Sequence, residues 1–451
     1  LIPQNIFREY DIRGMVDEEL TPEVVTAIGK GVATYFRGHG KEVALLCRDN
    51  RPSSEPFAER LAAEFQAAGL DVVDLGLAPT PAFYFATREY APGEAGVMVT
   101  GSHNPPQFNG FKISCGEGTI YGDEIRRLAE IIDAGEFASG RGTYAVRDVI
   151  DDYRRALLER VDVTRPIKIV ADAGNAMASL LMPELLSDAG CDADGLYCEL
   201  DGSFPHHWPD PTVPENVADL VARVAETGAA AGVAFDGDAD RIGAVDDRGR
   251  IIWGDKLLAL YSRPILEKNP GAKIVFEVKC SQALAEAVEA QGGTPLMWKT
   301  GHSLIEAKIR EENALLAGEM SGHIYFADRY FGYDDALYAA LRLAELVARA
   351  DEPLSALVDR IPRYFATPEI RVDCPDDFKF EAVEKIKKRF AGRKIIDVDG
   401  ARIIFDGGWG LVRASNTQPA LVLRFEADTE ERLAAIQGEV ENGLGEILAG
   451  V

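Results

Sequence analysis

Apolar and polar positions along the chain follow two rhythms: short apolar runs, and stretches with an apolar residue every three or four positions. Val43-Ala-Leu-Leu-Cys47 is a run that ends in the turn-prone Arg48-Asp49-Asn50. Glu55 to Ala68 then puts Phe57, Leu61, Phe65 and Ala68 on one stripe. This pattern predicts a strand followed by an amphipathic helix. Runs at Asp71–Leu75 and Ala95–Val99 continue the βαβ order, which implies a largely parallel sheet covered by helices. The order restarts twice. Ile167–Ala171 is an expected strand with a helix over about Ala178–Asp188 behind it, and Ala230–Phe235 is a later strand of that block. Lys273–Val278 opens a third block, with Ser281–Gln291 as its helix and a further apolar stretch at Leu315–Gly318. Residue identity between blocks is low, so the expectation is repeated architecture and not a short-period solenoid.

The end of the chain reads differently. Phe378–Phe390 and about Thr429–Ile447 have helical spacing. Ile395–Val398, Arg402–Phe405, Trp409–Ala414 and Ala420–Ala427 are short strands between them. That is an α+β order with antiparallel strands. The length of 451 residues alone suggests about three domains. The pattern instead divides the chain into four: 1–147, 148–250, 251–362 and 363–451. The expected fold is α/β, with three related α/β domains of mixed, largely parallel sheets and a C-terminal α+β domain.

Composition narrows the function. With 47% hydrophobic and 27% charged residues, the chain is globular in type. Lys and Arg number 48 against 74 Asp and Glu, a net charge of −26. Nucleic acids and anionic membranes need a basic footprint, so both are excluded as partners. No apolar run approaches the roughly 18 residues of a membrane span. Arg8, Glu9, Asp11, Arg13, Asp17, Glu18 and Glu19 leave no apolar core for a secretory leader. The chain begins at Leu1 and not at Met, so some upstream residues are expected. Cys47, Cys115, Cys191, Cys198, Cys280 and Cys374 are widely spaced without a Cys-x-x-Cys, which suits reduced thiols and a cytoplasmic location. No heptad seam requires assembly, and a monomer is expected.

Several loops carry candidate chemistry. Val97–Val99 runs into Thr100-Gly-Ser-His-Asn-Pro105, at the carboxyl end of a strand, where open α/β sheets bind ligands. Gly101 allows a sharp turn and Pro105 stiffens the exit, which presents Ser102 beside His103. The same residues also make an ordinary β-turn. In Phe235-Asp-Gly-Asp-Ala-Asp-Arg241, three carboxylates crowd the end of an apolar strand and repel unless a cation joins them. All-oxygen ligands point to a hard ion, Mg²⁺ or Ca²⁺. An EF-hand is ruled out because its required Gly is Arg241 and a strand-like Ile242-Gly-Ala-Val245 follows. A solvated acidic turn is the alternative. Gly318-Glu-Met-Ser-Gly-His323 and Arg413-Ala-Ser-Asn-Thr-Gln-Pro419 are further loops, each also readable as a plain turn; the second has the composition of a phosphate nest. Phe204-Pro-His-His-Trp-Pro-Asp-Pro211 reads as a rigid surface loop. No Gly-x-Ser-x-Gly elbow, nucleotide-binding loop or His-Glu-x-x-His occurs.

Together these motifs resemble the α-D-phosphohexomutase superfamily, and their wording is similar to its bifunctional phosphomannomutase/phosphoglucomutase group. The resemblance spans the chain: Tyr10–Gly14, Thr100–Pro105, Asn109-Gly-Phe-Lys112, Asp236–Arg241, Gly301-His302, Gly318–His323 and Arg413–Thr417. It implies four domains around a central cleft and an isomerase that shifts phosphate between C1 and C6 of mannose or glucose through a phosphoserine and a 1,6-bisphosphate. By resemblance, Ser102 carries the phosphoryl group, and Asp236, Asp238 and Asp240 hold Mg²⁺ with a phosphoserine oxygen. Arg13, Lys112, His103 and His302 are the acid/base candidates, with the assignment open. Glu319 and Ser321 grip sugar hydroxyls. Arg413, Ser415, Asn416 and Thr417 hold the idle phosphate, and Tyr10, Arg241, Lys279 and Gly301 are further substrate contacts. A hexose 1,6-bisphosphate activator and sugar-phosphate partners follow. Ala176 and Ser179 stand where the family has a Gly-richer turn. Met320 argues against the nearest alternative, a phosphoglucosamine mutase, which usually has Gln there. A non-catalytic sugar-phosphate binder is the alternative of another class.

Overall fold

The computed structural model describes residues 2–415 and 419–449. Among these residues the strands form four sheets in chain order, of seven, five, four and six strands. The first three sheets are built on one plan. A central strand (Val43–Arg48, Lys168–Asp172 or Lys273–Glu277) lies between two parallel neighbours. On one side is the strand that follows it: Asp71–Leu77, Asp192–Leu196 or Thr294–Trp298. On the other is the third strand: Ala95–Val99, Ala231–Phe235 or Leu316–Gly318. The third then pairs antiparallel with a fourth: Phe108–Cys115, Ile242–Asp246 or Ile324–Phe326. Ala95–Val99 and Ala231–Phe235 are buried at every position, as strands covered on both faces must be.

This plan decides where the chemistry falls. The turn from third to fourth strand is at the carboxyl end of the parallel sheet, and it is the same place in each unit. Ser102 lies in the first such turn, Asp236 to Asp240 in the second, and Glu319 to Ser321 in the third. Three motifs far apart in the chain are therefore three copies of one structural position.

A single apolar core runs through the first three units. It includes Phe83 and Met98 of the first, Leu185 and Val233 of the second, and Leu258, Phe276 and Leu337 of the third. The helix Ala336–Arg349 is central to it. Asp335 caps that helix by accepting from the Tyr338 N–H at 2.8 Å. The last sheet is antiparallel throughout, ordered Phe365–Ala366, Ala420–Ala427, Gly408–Ala414, Ala401–Phe405, Ile395–Ile396, with Ile370–Asp373 also on Ala420–Ala427. Helices Lys379–Arg389 and Glu430–Leu448 enclose a separate core of Ile386, Ile403, Leu423, Phe425 and Val440.

One expected element is broken. In place of a helix over Ala178–Asp188 there is a 3₁₀ turn at Met177–Leu180 and a short helix at Glu184–Asp188. Pro183 supplies the reason: it has no N–H to donate, and it disfavours helical backbone at Met182. No helix among the described residues is long and apolar enough to cross a membrane.

Candidate active site

Ser102 is only 2% exposed and has φ of +49°, a left-handed backbone that a non-glycine residue holds only under constraint. Its N–H donates to Thr100 Oγ1 at 2.9 Å. Its Oγ donates to Asp236 Oδ2 at 3.1 Å and lies 3.2 Å from His103 Nδ1. The Ser102 carbonyl sits so near Gly237 that a Cβ there would be 2.2 Å from the oxygen. A glycine at 237 is thus what lets the first and second loops meet.

Asp236, Asp238 and Asp240 are fully buried. One oxygen from each lies within 4.8 Å of the others. The N–H groups of Asp240 and Arg241 donate to Asp236 Oδ1 at 3.1 and 3.0 Å. Thr80 Oγ1 and Lys112 Nζ, both from the first unit, donate to Asp238 Oδ2 at 2.6 Å each, and Lys112 also binds Asp240. Asp238 Oδ1 and Asp240 Oδ1 are buried with no hydrogen-bond partner among the described residues. Buried carboxylate oxygens left bare are expensive, and a hard divalent cation satisfies them, so the residues fit an oxygen-ligated metal. Burial and the two neighbouring carboxylates push Asp236 well above the ordinary carboxyl range. Burial acts the same way on Asp240, but Lys112, His323 and Arg241 outweigh it and hold that carboxyl low. Burial opposes the Lys112 charge, and Asp238 and Asp240 overcome it.

From this cluster a chain of polar contacts runs through the remaining units. Arg241 Nε is 3.8 Å from Asp236 and donates to His323 Nε2 at 2.9 Å. His323 Nδ1 faces Asp334 at 2.8 Å, and its Nε2 is 4.0 Å from Glu319. Glu319 accepts from the Gly301 N–H at 2.6 Å and from Ser321 Oγ at 3.5 Å. Tyr10 donates to the Thr300 carbonyl at 2.6 Å, and its ring meets His302 edge-on with centroids 5.7 Å apart. Thr300 N–H donates to Asp399 at 3.0 Å, and Asp399 pairs with Arg413 at 3.0 Å. Lys279 lies 3.6 Å from Glu277 and 3.2 Å from Glu369. Arg13 pairs with Asp11 at 2.5 Å. Burial, then the charges of Arg241 and Arg13, drives His103 well below its ordinary range. Burial, Lys112 and His323 do the same to His302, whose Nε2 is buried without a partner among the described residues.

Residues from all four units are thereby joined in one site. Ser415 is buried beside Arg413; its carbonyl accepts from Lys379 at 2.6 Å. Asn416 and Thr417 lie outside the described residues. Thr80, Glu277, Asp334, Glu369 and Asp399 were not singled out by the sequence. Glu277 had a local signal, since it ends an apolar strand as the motif loops do. Thr80 and Glu369 act on partners from distant segments and had none, and Asp334 and Asp399, though near His323 and Arg413 in the chain, lie in no motif. The Phe204–Pro211 loop is only partly a surface loop. Phe204 and Pro209 are buried, and His207 turns in to Asp172 at 3.2 Å. This pair sits at the end of the second unit's own central strand.

Four family models match the chain in succession: phosphoglucomutase/phosphomannomutase alpha/beta/alpha domain I at residues 4–139, domain II at 151–249, domain III at 253–364, and the C-terminal domain at 369–443. The chain belongs to the phosphoglucomutase/phosphomannomutase family of α-D-phosphohexomutases. It is an isomerase of the phosphohexomutase class. It is 42% identical over 445 residues to a phosphomannomutase/phosphoglucomutase of Pseudomonas aeruginosa, covering 98% of this chain and 96% of that protein. It is 41% identical to a phosphoglucomutase of Neisseria gonorrhoeae, covering 97% and 96%. Among solved structures, a phosphoglucomutase/phosphomannomutase family protein from Burkholderia thailandensis superposes with a TM-score of 0.93 at 42% identity, covering 98% of each chain.

Proposed function

We propose that this enzyme interconverts the 1- and 6-phosphates of mannose and glucose through a phosphorylated Ser102 and a hexose 1,6-bisphosphate. The observation that carries the proposal is the Ser102 hydroxyl 3.1 Å from Asp236, beside a buried lysine and carboxylate oxygens that lack partners among the described residues. Phosphoryl transfer needs a positioned oxygen and concentrated positive charge more than covalent chemistry. Asp236, Asp238, Asp240 and the phosphoserine would hold Mg²⁺, which when bound supplies Lewis-acid neutralisation of charge on the transferring phosphoryl.

Ser102 gives its phosphoryl group to the free hydroxyl of a hexose monophosphate, and the hydroxyl proton passes to a base. The bisphosphate turns around. The Ser102 oxygen freed in the first transfer takes up a proton. In the second, Ser102 Oγ gives that proton to a base as its bond to the other phosphate forms, and the departing sugar oxygen is protonated, which leaves the isomeric monophosphate. His103 and His302, kept neutral by their surroundings, are able to accept the proton, while Lys112 and Arg13 contribute charge. Glu319 and Ser321 face the sugar. Arg241, Lys279, Tyr10, Gly301, Arg413, Ser415, Asn416 and Thr417 take the remaining substrate contacts. Free hexose 1,6-bisphosphate restores enzyme that has lost its phosphoryl group.

The same reading divides the units at 147, 250 and 362. It takes the enzyme as a cytoplasmic monomer acting on small sugar phosphates; all six cysteines are free thiols, which suits a reducing compartment. The test is Ser102→Ala, assayed with mannose, glucose and glucosamine monophosphates and catalytic bisphosphate. Turnover should fall to background while ligand binding remains measurable. Unchanged turnover would end the phosphoserine reading, and faster turnover of the glucosamine substrate by the parent enzyme would end the choice of sugar.

A further inference from the structure

Beneath the Ser102 loop lies a guanidinium that the reaction scheme does not use. Arg51 follows the central strand of the first unit, and its side chain is fully buried. A guanidinium has five N–H donors. In Arg51 each has an acceptor. Nε donates to Asp49 Oδ2 at 3.1 Å. Nη1 donates to the carbonyls of Pro105 and Phe108 at 2.7 and 3.1 Å. Nη2 donates to those of Ser102 and Asn104 at 2.7 and 2.5 Å. Four carbonyls of one loop, none in a regular strand ladder except that of Phe108, thus converge on one side chain. Asp49 completes the brace by accepting from Thr100 Oγ1 at 2.8 Å and from the Gly101 N–H at 3.2 Å. The fit leaves no slack: a Cβ at Gly101 would lie 2.6 Å from the guanidinium carbon.

The third unit repeats the device. In register, Arg48 pairs with Val99, the last residue of the third strand of the first unit, and Phe276 pairs with Gly318, its counterpart in the third. Asp49 and Glu277 are each the next residue along, and Arg51 and Lys279 lie two further on. The carboxylates do the same job. Asp49 accepts from the second loop residue, Gly101, and Glu277 accepts from the second loop residue, Met320, at 3.0 Å. The bases differ. Lys279 turns outward to Glu369, and Arg51 turns inward to the loop carbonyls. In the second unit the matching positions are Gly174 and Ala176, and its loop is instead held by Thr80 and Lys112 from the first unit.

We infer that Asp49 and Arg51 are positioning residues for phosphoryl transfer: their five-donor brace holds Ser102 in its left-handed backbone and so aims its Oγ at the Asp236 cluster. The inference rests on Ser102 being the phosphorylated residue. A left-handed non-glycine residue persists only where the surroundings over-determine it. Fixing the carbonyls of Ser102, Asn104 and Pro105 does this without touching substrate. The expected signature is therefore a loss in kcat with little change in KM.

The test is Arg51→Lys, which keeps the charge but has three donors in place of five. Steady-state kinetics with glucose 1-phosphate and incorporation of phosphate into Ser102 from glucose 1,6-bisphosphate are measured at 25 °C, with Ser102→Ala in parallel. A misplacement of about 1 Å corresponds to roughly 100-fold in rate. Arg51→Lys should lower kcat and the phosphorylation rate by about that factor, with KM within about twofold. A kcat within threefold of the parent, or a loss confined to KM, overturns the proposal. If Arg51→Lys does not fold, Asp49→Asn is judged by the same criteria. Activity in Ser102→Ala would reject the phosphoserine reading, whereas an inactive Ser102→Ala beside a fully active Arg51→Lys rejects the brace alone.

Discussion

The site has two halves with opposite needs. Where the first and second units meet, carboxylates crowd together: Asp238 and Asp240 share Lys112, Asp238 also takes Thr80, Asp236 takes Ser102, and two of the six oxygens have no partner among the described residues. Where the third and fourth units meet, cations are already matched, Lys279 with Glu277 and Glu369, and Arg413 with Asp399. The first half suits a hard cation. The second can release its cations to a phosphate when the protein's own carboxylates are displaced. A mutase that receives its substrate in two orientations needs this difference. In the proposed reaction one half acts on whichever phosphate is presented, and the other holds whichever is not.

The largest effect should come from Lys112→Met. Removing one partner of a buried ion cluster costs about 3–5 kcal/mol. In chelator the first thermal transition should fall sharply, and added Mg²⁺ should raise it more in the variant than in the parent, because metal and lysine serve the same carboxylates. Equal Mg²⁺ shifts in both proteins would separate Lys112 from the metal ligands.

The second half should respond next to Arg402→Met. Arg402 is fully buried, donates to the carbonyls of Val278 and Cys280 at 2.6 and 2.8 Å, and lies 3.7 Å from the Trp409 ring centre. It ties the last sheet to the loop that carries Lys279. Stranding two buried carbonyls costs about 2–4 kcal/mol. In the proposed scheme this loosens the seat of the held phosphate, which steady-state kinetics would show as a rise in KM larger than the fall in kcat. Chemistry lost at unchanged KM would move Arg402 to the reacting half.

A smaller effect is tied to pH. The Lys279 ammonium pulls Glu369 from its usual 4.5 down to about 2. A carboxyl depressed on folding stabilises the protein above its unfolded value, and that stability disappears as pH falls from 4.5 towards 2. The shift corresponds to about 3 kcal/mol at most, and about 2 after allowance for a partly exposed side chain. Urea midpoints between about pH 6 and about pH 3 should fall more steeply in the parent than in Glu369→Gln. Parallel curves would remove this pair from the acid limb. Arg127→Ala should do least: its exposed pair with Glu130 belongs to neither half, and stability should change by less than about 0.5 kcal/mol in the same assay.

Legibility followed the range of the interaction. The alternating Asp236, Asp238 and Asp240 at the end of an apolar strand could be read directly, because both the spacing and the repulsion are local. So could the Ser102 turn and the strand order of the last unit. The broken helix at Met177–Asp188 should have been readable from Pro183. Lys112 was picked out only through the family resemblance, as an acid/base candidate, and nothing near it announces that its ammonium bridges Asp238 and Asp240 of another unit. Arg51, just past the Arg48-Asp49-Asn50 turn, gave no signal, because the carbonyls it binds lie about fifty residues away.

By itself, then, the sequence determined the βαβ rhythm, the change to antiparallel order near the end, and the residue types in each loop, since these follow from side-chain periodicity and local turn chemistry. The tertiary structure alone decided that the three loops occupy one repeated position and face one another. It also decided which carboxylates keep oxygens without a partner among the described residues and which are matched, and that a buried arginine binds the Ser102 carbonyl. Those outcomes depend on which segments pack side by side, and burial then converts a modest pairing of charges into a strong one.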